Sequence, residues 1–175
     1  MARAHFVKKA RNDIPNTDIK KGDSYWWWQF AYSKKQCSKT KPKPAQLTRS
    51  EFYQFVYGIK EEIANLEAND GLEAARDEIV QQLRDQADEL EGKRENMPEG
   101  LQESSTGELL QERADAMTAA ADELDEIQIE EFDEDECRQE CPAGEEDVEE
   151  YIESQRQAHW ELILEELQAV TVEMP

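Results

Sequence analysis

Basic and acidic residues are separated along this chain of 175 residues, and that division constrains its fold more than any other feature. Residues 1–60, the basic head, contain 13 Lys and Arg against 4 Asp and Glu. Residues 61–175, the acidic body, contain 7 against 38. Of the 14 aromatic residues, 11 lie in the basic head. The sequence therefore predicts two parts with separate surfaces for separate partners, and the basic part suits a polyanion.

The apolar segments and the cysteines indicate the cellular compartment. The longest apolar runs span only a few residues, whereas a membrane-spanning helix needs about 20. The N-terminus lacks the apolar core of a secretion signal, and three cysteines make an odd number, unlike a secreted disulfide framework. We expect a cytoplasmic protein. Cys137, Cys141 and His159 lack a fourth ligand at a recognisable spacing, so we expect free thiols and no metal site.

The first 47 residues are predicted to form a basic, aromatic, three-stranded antiparallel β-sheet, with strands at residues 4–8, 24–32 and 35–39. Turn signals lie at residues 21–23 and 33–34. Side-chain alternation would place Tyr25 and Trp27 on one face of the middle strand. The opposite face would then carry Trp26, Trp28, Phe30 and Tyr32. Such a small sheet needs cover to be stable.

Residues 48–127 are predicted to form a helical hairpin. A capping-box pattern from Thr48 to Glu51 precedes an apolar seam that can cover the sheet. We expect one long, locally disturbed helix at 49–94, although the interruption at residues 69–71 leaves two helices as the alternative. A second capping-box pattern, from Ser105 to Glu108, predicts a helix at 106–127 that folds back antiparallel.

The remaining chain is predicted as an acidic connector at 128–146 and a C-terminal amphipathic helix at 147–175. The alternative is that the tail after residue 128 is disordered until it meets a partner. The expected fold class is α+β and mostly α. In this fold a small N-terminal antiparallel sheet packs on an elongated, acidic, coiled-coil-like helical body.

The aromatic strand and its surrounding lysines form the candidate nucleic-acid-binding site. Lysine cations neutralise phosphates, and flat rings stack on bases or against sugars. The alternative is that the aromatic residues only form the core of a small domain while the lysines keep it soluble. The predicted binding residues are Lys20, Lys21, Tyr25, Trp27, Lys34, Lys35, Lys39, Lys41 and Lys43.

The aromatic run at residues 25–30, followed by a turn and by residues 35–40, resembles the arm-type DNA-binding sheet of tyrosine recombinases. The resemblance covers residues 4–65. It implies three strands and a helix whose sheet enters the DNA major groove. The acidic body departs from that family. The whole chain also resembles the small accessory proteins of tailed phages, which would place it in the cytoplasm of the host cell.

The acidic body supports a second hypothesis. Carboxylates along rigid helices can imitate a phosphate backbone, as in DNA-mimic inhibitors of restriction or other nucleic-acid-binding enzymes. The alternative is a solvated face that serves solubility. The predicted acidic partner surface comprises Glu73, Asp77, Asp85, Asp88 and Glu89.

The motifs of catalysis are missing from the sequence. It contains neither a Gly-rich phosphate loop nor a nucleophile elbow, and only two histidines. We therefore expect a non-enzyme without cofactor or metal, acting as a phage-type accessory or regulatory binding protein. We expect a protein partner, and DNA or RNA would bind the basic head. The sequence leaves open whether the chain forms a homo-oligomer. A DNA-mimic inhibitor is the alternative function.

Overall fold

The computed structural model describes residues 1–141, 148–173 and 175 of the chain. It divides the chain into two compact units, Met1–Ile59 and Lys60–Pro175. More than half of the described residues lie in α-helices, and the strands form one small antiparallel sheet in the first unit. The predicted fold class, α+β and mostly α with an N-terminal sheet, is confirmed.

The sheet of the first unit has the order β1 (His5–Val7), β2 (Tyr25–Trp28) and β3 (Gln36–Ser38). Both pairs of neighbouring strands are antiparallel, as predicted. The middle strand is shorter than the predicted 24–32, because the chain turns at residues 30–33. There Ser33 donates its backbone N–H to the carbonyl of Phe30 at 3.1 Å, and Tyr32 has a φ of 60°. Phe30 and Tyr32 therefore lie beyond the strand and outside its alternation.

The core of the first unit joins the sheet to the first helix, α1 (Glu51–Ala64). A 3-10 turn at Pro44–Leu47 precedes α1. The sheet packs on α1, which supplies the apolar cover that so small a sheet needs. The buried apolar side chains of this unit are Ala10, Ile19, Trp28, Phe52, Val56 and Ile59. The compact unit Met1–Ile59 therefore includes the first part of α1.

The start of α1 differs from the predicted capping box. The helix begins at Glu51, so its N-cap position is Ser50 and not Thr48. Thr48 is buried, and its Oγ1 accepts a hydrogen bond from the Ser50 N–H at 3.2 Å. Its carbonyl accepts another from Gln54 Nε2 at 3.0 Å. Thr48 thus shapes the entry to the helix from two residues before the cap.

The predicted single helix at 49–94 is wrong, because α1 ends at Ala64 and a separate α2 spans Leu72–Glu95. Between them, Gly71 donates its backbone N–H to Asn69 Oδ1 at 2.8 Å. Asn side chains stabilise turns through such local bonds and compete with the helical pattern. The structure has the two helices of the alternative prediction, which the interruption at residues 69–71 had suggested.

In the second unit, α2 packs antiparallel against α4 (Ser105–Asp125), and the short α3 (Glu99–Gln102) lies in their connection. The direction follows from two arginines of α2: Arg76 donates from Nη1 to the carbonyl of Ile127, whereas Arg84 pairs with Asp122 and Asp125. The predicted antiparallel hairpin is therefore found between α2 and α4. Its buried apolar side chains include Leu83, Ala87, Leu90, Ala114, Met117, Ala121 and Leu124.

The cap of α4 lies one residue before the predicted one. Ser104, and not Ser105, is the N-cap residue, and its Oγ accepts from the Gly107 N–H at 3.4 Å. The same hydroxyl donates to the carbonyl of Leu101 at 2.6 Å. Ser104 thus fastens the start of α4 to the end of the preceding connection.

The predicted acidic connector contains a short helix, α5 (Glu134–Glu140), capped by Asp133, whose Oδ1 accepts from the Glu136 N–H at 2.9 Å. Residues 142–147, which include the predicted Pro-Ala-Gly break, lie outside the described residues. The last helix, α6 (Val148–Ala169), agrees with the predicted amphipathic segment. The buried residues of α6 are Ile152, Trp160, Ile163 and Leu167. Val170 and Val172, in the segment after the helix, are also buried.

Candidate nucleic-acid interface and acidic surface

Trp27 stands at the centre of the candidate interface. Its cross-strand neighbours are His5 on β1 and Cys37 on β3, and the three share a face with Tyr25. The His5 ring stacks on the Trp27 ring, with centroids 4.5 Å apart and planes inclined by 18°. The Lys35 ammonium lies 4.0 Å from the centroid of the Trp27 ring and 6.0 Å from that of Tyr25. This face is partly exposed.

The strand order explains how Trp27 is used. Because β1 and β3 flank β2 on opposite sides, His5 and Lys35 approach the Trp27 ring from opposite sides. A nucleic-acid base could stack on this ring only by displacing one of them. The arrangement instead holds a lysine cation over an aromatic face, a contact worth about 0.5–1 kcal/mol at exposed sites. Trp27 is thus suited to positioning Lys35.

The opposite face of β2 combines core and surface. Trp28 is only 4% exposed and belongs to the core, whereas Phe6 is 50% exposed. The Phe6 and Trp26 rings lie 5.0 Å apart. The alternative interpretation, in which the tryptophans only form the core, therefore holds for Trp28. Trp26 and Trp27 are partly exposed.

The seven predicted lysines are all exposed, but the structure distributes them over several local groups. Lys39 forms an ion pair with Asp23 at 2.8 Å. The Asp23 carboxylate also accepts the backbone N–H of Lys20 at 3.1 Å, so this carboxylate links the turn at residues 20–23 to Lys39 at the end of β3. The hydrogen bond from Lys39 holds the pKa of Asp23 below its usual value of 3.8. Lys39 is thus partly neutralised by its own unit.

Several residues near the candidate interface were not predicted from the sequence. His5 and Phe6 contact tryptophans across the sheet, and Asp23 pairs with a predicted lysine. The guanidinium of Arg49 lies 4.9 Å from the centroid of the Phe30 ring. The alternation of β1 was visible in the sequence, but its register against β2 was not, so these contacts lacked a sequence signal.

The predicted acidic surface lies on α2, and its five side chains are exposed. Each four-residue step turns about 40° further around the helix, so Glu73, Asp77, Asp85 and Glu89 form a winding row. The row spreads over about 160° of the helix surface and includes Asp88 within that arc. Cations on the same helix neutralise part of this row: Arg76 pairs with Asp77 at 2.8 Å, and Lys93 with Glu89 at 2.6 Å. This pairing lowers the density of negative charge that the row offers to a partner.

The predicted thiols and His159 lie in different local surroundings. Cys37 and Cys137 are free thiols. Nε2 of His159 lies 2.8 Å from the carbonyl oxygen of Glu130, and its ring contacts those of Phe132 and Trp160. Within residues 1–141, 148–173 and 175, no cluster of three His, Cys, Asp or Glu could hold a metal ion. Within the same ranges, no helix is long and apolar enough to cross a bilayer.

Comparison with protein-family models, curated proteins and solved structures gives no match for this chain. The first unit carries 12 Lys and Arg against 4 Asp and Glu, a net charge of +8. The second carries 8 against 38, a net charge of −30.

Proposed function

We propose that this chain is a non-catalytic binding protein, an accessory or regulatory factor of phage type that acts in the host cytoplasm. Its basic head contacts DNA or RNA, and its acidic body docks a protein partner. The observation that supports this best is the ammonium of Lys35 held over Trp27 on a partly exposed sheet, among further exposed lysines. A single surface thus combines ordered positive charge with aromatic edges.

The proposed contacts of the head are with the phosphate backbone. Lysines neutralise phosphates and release counterions, which gives affinity without sequence preference. Because the Trp27 ring already restricts Lys35, less side-chain freedom is lost when that ammonium meets a phosphate. With His5 and Lys35 against the Trp27 ring, base stacking contributes less than charge. We therefore expect weak discrimination between sequences and a steep dependence on salt.

Fluorescence anisotropy of the full chain with labelled duplex DNA, single-stranded DNA and RNA tests this proposal, with salt raised from about 50 to about 200 mM. Replacing Lys34, Lys35 and Lys39 together by Gln should weaken binding evenly across sequences. The slope of log affinity against log salt should fall by about 2–3, since Lys34 and Lys35 each lose one phosphate contact and Lys39, paired with Asp23, loses at most one. Preference for duplex DNA would favour the major-groove contact that the recombinase resemblance implies.

Replacing the same three lysines by Arg provides the matched control, because it keeps the charge at each position. The Arg variant should bind as the original chain does. The proposed role of the head would be excluded if the full chain bound none of the nucleic acids at low salt. It would also be excluded if the Gln variant kept the original affinity and salt slope.

A second candidate function is that the acidic body imitates nucleic acid and occupies the groove of a nucleic-acid-binding enzyme. The exposed row of carboxylates on α2 favours it. Carboxylates four residues apart are separated by about 6 Å along the helix axis. Successive phosphates on one DNA strand are separated by about 3.4 Å along the duplex axis. In a pull-down with the full chain, mimicry predicts that added DNA displaces the captured partner. Replacing Asp77 and Asp85 by Asn should reduce capture of the same partner.

A further inference from the structure

A cavity of about 670 Å³ lies within the second unit, among the start of α2, the segment before α5, and α6. This volume is in the range of sites that accept small molecules or single side chains. Apolar groups of Ile129, Phe132 and Trp160 form part of its wall. The carboxylates that line it are those of Asp70, Glu73, Glu131, Glu134 and Glu153. The cavity thus combines aromatic surface with an excess of negative charge.

One side chain of the cavity shows which chemical group its wall accepts. The Arg156 guanidinium lies 5.7 Å from the centroid of the Phe132 ring. It forms ion pairs with Glu134 and, at 2.5 Å, with Glu153. A planar cation therefore already rests on this wall between an aromatic ring and carboxylates.

Carboxylates remain for a second cation. Glu73 lies 3.9 Å from Arg76, a loose ion pair. Among the described ion pairs and hydrogen bonds, none uses the side chain of Asp70 or Glu131, although both line the cavity. The lining therefore keeps an excess of negative charge after Arg156 has been satisfied.

We infer that this cavity binds the guanidinium of an arginine side chain from a partner protein. Guanidinium is planar, more weakly hydrated than ammonium and able to stack on aromatic rings while it donates to carboxylates. Glu73 and Glu131 supply carboxylates. The aromatic part of the lining is the half-buried ring of Phe132, which also contacts Arg156, and the edge of Trp160, which is 7% exposed. The inference rests on the protein-docking part of the proposed function, and it names the group that the acidic body recognises.

NMR on the ¹⁵N-labelled full chain tests this inference through the indole N–H of Trp160, assigned with the variant Trp160→Phe. The probe is Nα-acetyl-arginine amide, and the uncharged control of the same shape is Nα-acetyl-citrulline amide. We expect a saturable shift with the arginine probe and none with the citrulline probe. Nα-acetyl-lysine amide should bind at least about fivefold more weakly, because ammonium is more strongly hydrated and does not stack.

Binding of spermidine tests whether the cation that the cavity binds comes from a free polyamine or from a protein side chain. Weaker binding of spermidine than of the arginine probe supports a side chain. Equal or tighter binding of spermidine overturns the inference, because charge alone would then decide. Equal shifts with the arginine and citrulline probes overturn it as well.

Paired charge variants separate the cavity from the general field of the acidic body. Glu73→Gln combined with Glu131→Gln should weaken the arginine probe by about tenfold, since two facing carboxylates are lost. Glu108→Gln combined with Glu112→Gln makes the same charge change on α4, at exposed positions that do not line the cavity. This control should leave the affinity unchanged, and equal weakening by both pairs overturns the inference.

Nucleic-acid binding of the same variants is measured in parallel. None of these substitutions changes the basic head. If the unsubstituted chain binds nucleic acid but shows no arginine response, this inference is overturned and the proposed function of the head stays in place. If the unsubstituted chain shows a saturable arginine response but binds no nucleic acid, the proposed function of the head is excluded and this inference stays in place.

Discussion

At the residue scale, Asp23 limits how much positive charge the head offers to a polyanion. Its carboxylate pairs with Lys39 at 2.8 Å and accepts the Lys20 backbone N–H at 3.1 Å. Asp23→Asn should raise the affinity for duplex DNA about two- to tenfold at low salt, because it releases Lys39 and removes one repulsive charge. The Asn carbonyl oxygen still accepts the backbone N–H, so the turn is kept. Anisotropy titration measures the change.

Asp13→Asn is the matched control for this prediction. Asp13 also accepts a backbone N–H, that of Lys21, at 2.7 Å. The substitution therefore makes the same change in net charge at another exposed loop position of the same unit. Its gain in affinity should be smaller than that of Asp23→Asn, and equal gains would show that the pair with Lys39 has no influence.

The titration of Asp23 provides a second prediction at this scale. The Lys39 hydrogen bond, as the largest cause, lowers the pKa of Asp23 from 3.8. A carboxyl whose pKa is lowered on folding stabilises the fold above its unfolded pKa, and this contribution is lost as the pH falls through the lowered folded value. Lys39→Gln should return the pKa of Asp23 toward 3.8. Carboxyl NMR titration of the two proteins measures it, and an unchanged value would contradict the assigned cause.

At the scale of elements, Gly107 decides how closely α4 approaches the connection before it. A Cβ at this position would collide with the backbone of Gln102. Gly107→Ala should therefore lower the free energy of unfolding by about 1–3 kcal/mol, although alanine favours helices by about 1 kcal/mol. The clash outweighs propensity because it involves backbone atoms that cannot rotate away. Urea denaturation followed by circular dichroism measures the change.

Gly92 on α2 gives the matched substitution without a clash. A Cβ there meets nothing within 4 Å. Gly92→Ala should raise the free energy of unfolding by up to about 1 kcal/mol through helix propensity and reduced freedom of the unfolded chain. If both variants changed stability in the same direction, the described contact between Gly107 and Gln102 would be wrong.

At the scale of the whole molecule, the acidic body should restrain the basic head. Residues 1–70 carry 13 Lys and Arg against 8 Asp and Glu, whereas residues 71–175 carry 7 against 34. The fragment 1–70 keeps α1 complete and should bind nucleic acid more tightly than the full chain at low salt. The difference should shrink as salt screens the long-range repulsion.

Circular dichroism must first show that the fragment 1–70 is folded, because α1 covers the sheet. Anisotropy titrations of fragment and full chain, at low salt and again near 0.5 M salt, where the screening length is only about 4–5 Å, then measure the restraint. A folded fragment that binds no more tightly than the full chain at low salt would show that the acidic body exerts none.

Much of the fold was predictable because it depends on neighbours in the chain. Side-chain alternation placed Trp26 and Trp28 opposite Trp27, and turn chemistry marked the turn at residues 21–23. Helical periodicity marked the buried face of α1 through Val56 and Ile59. The acidic row on α2 and the exposure of the lysines also followed from local pattern. Each of these features repeats within a few residues, so the sequence alone records it.

Tertiary structure decided what depends on distant segments. Register placed His5 beside Trp27, and packing left Phe6 exposed but buried Trp28. The cavity joins residues 68–73, 129–134 and 153–160. Periodicity cannot predict such contacts, because their free energy arises only when segments far apart in the chain pack together.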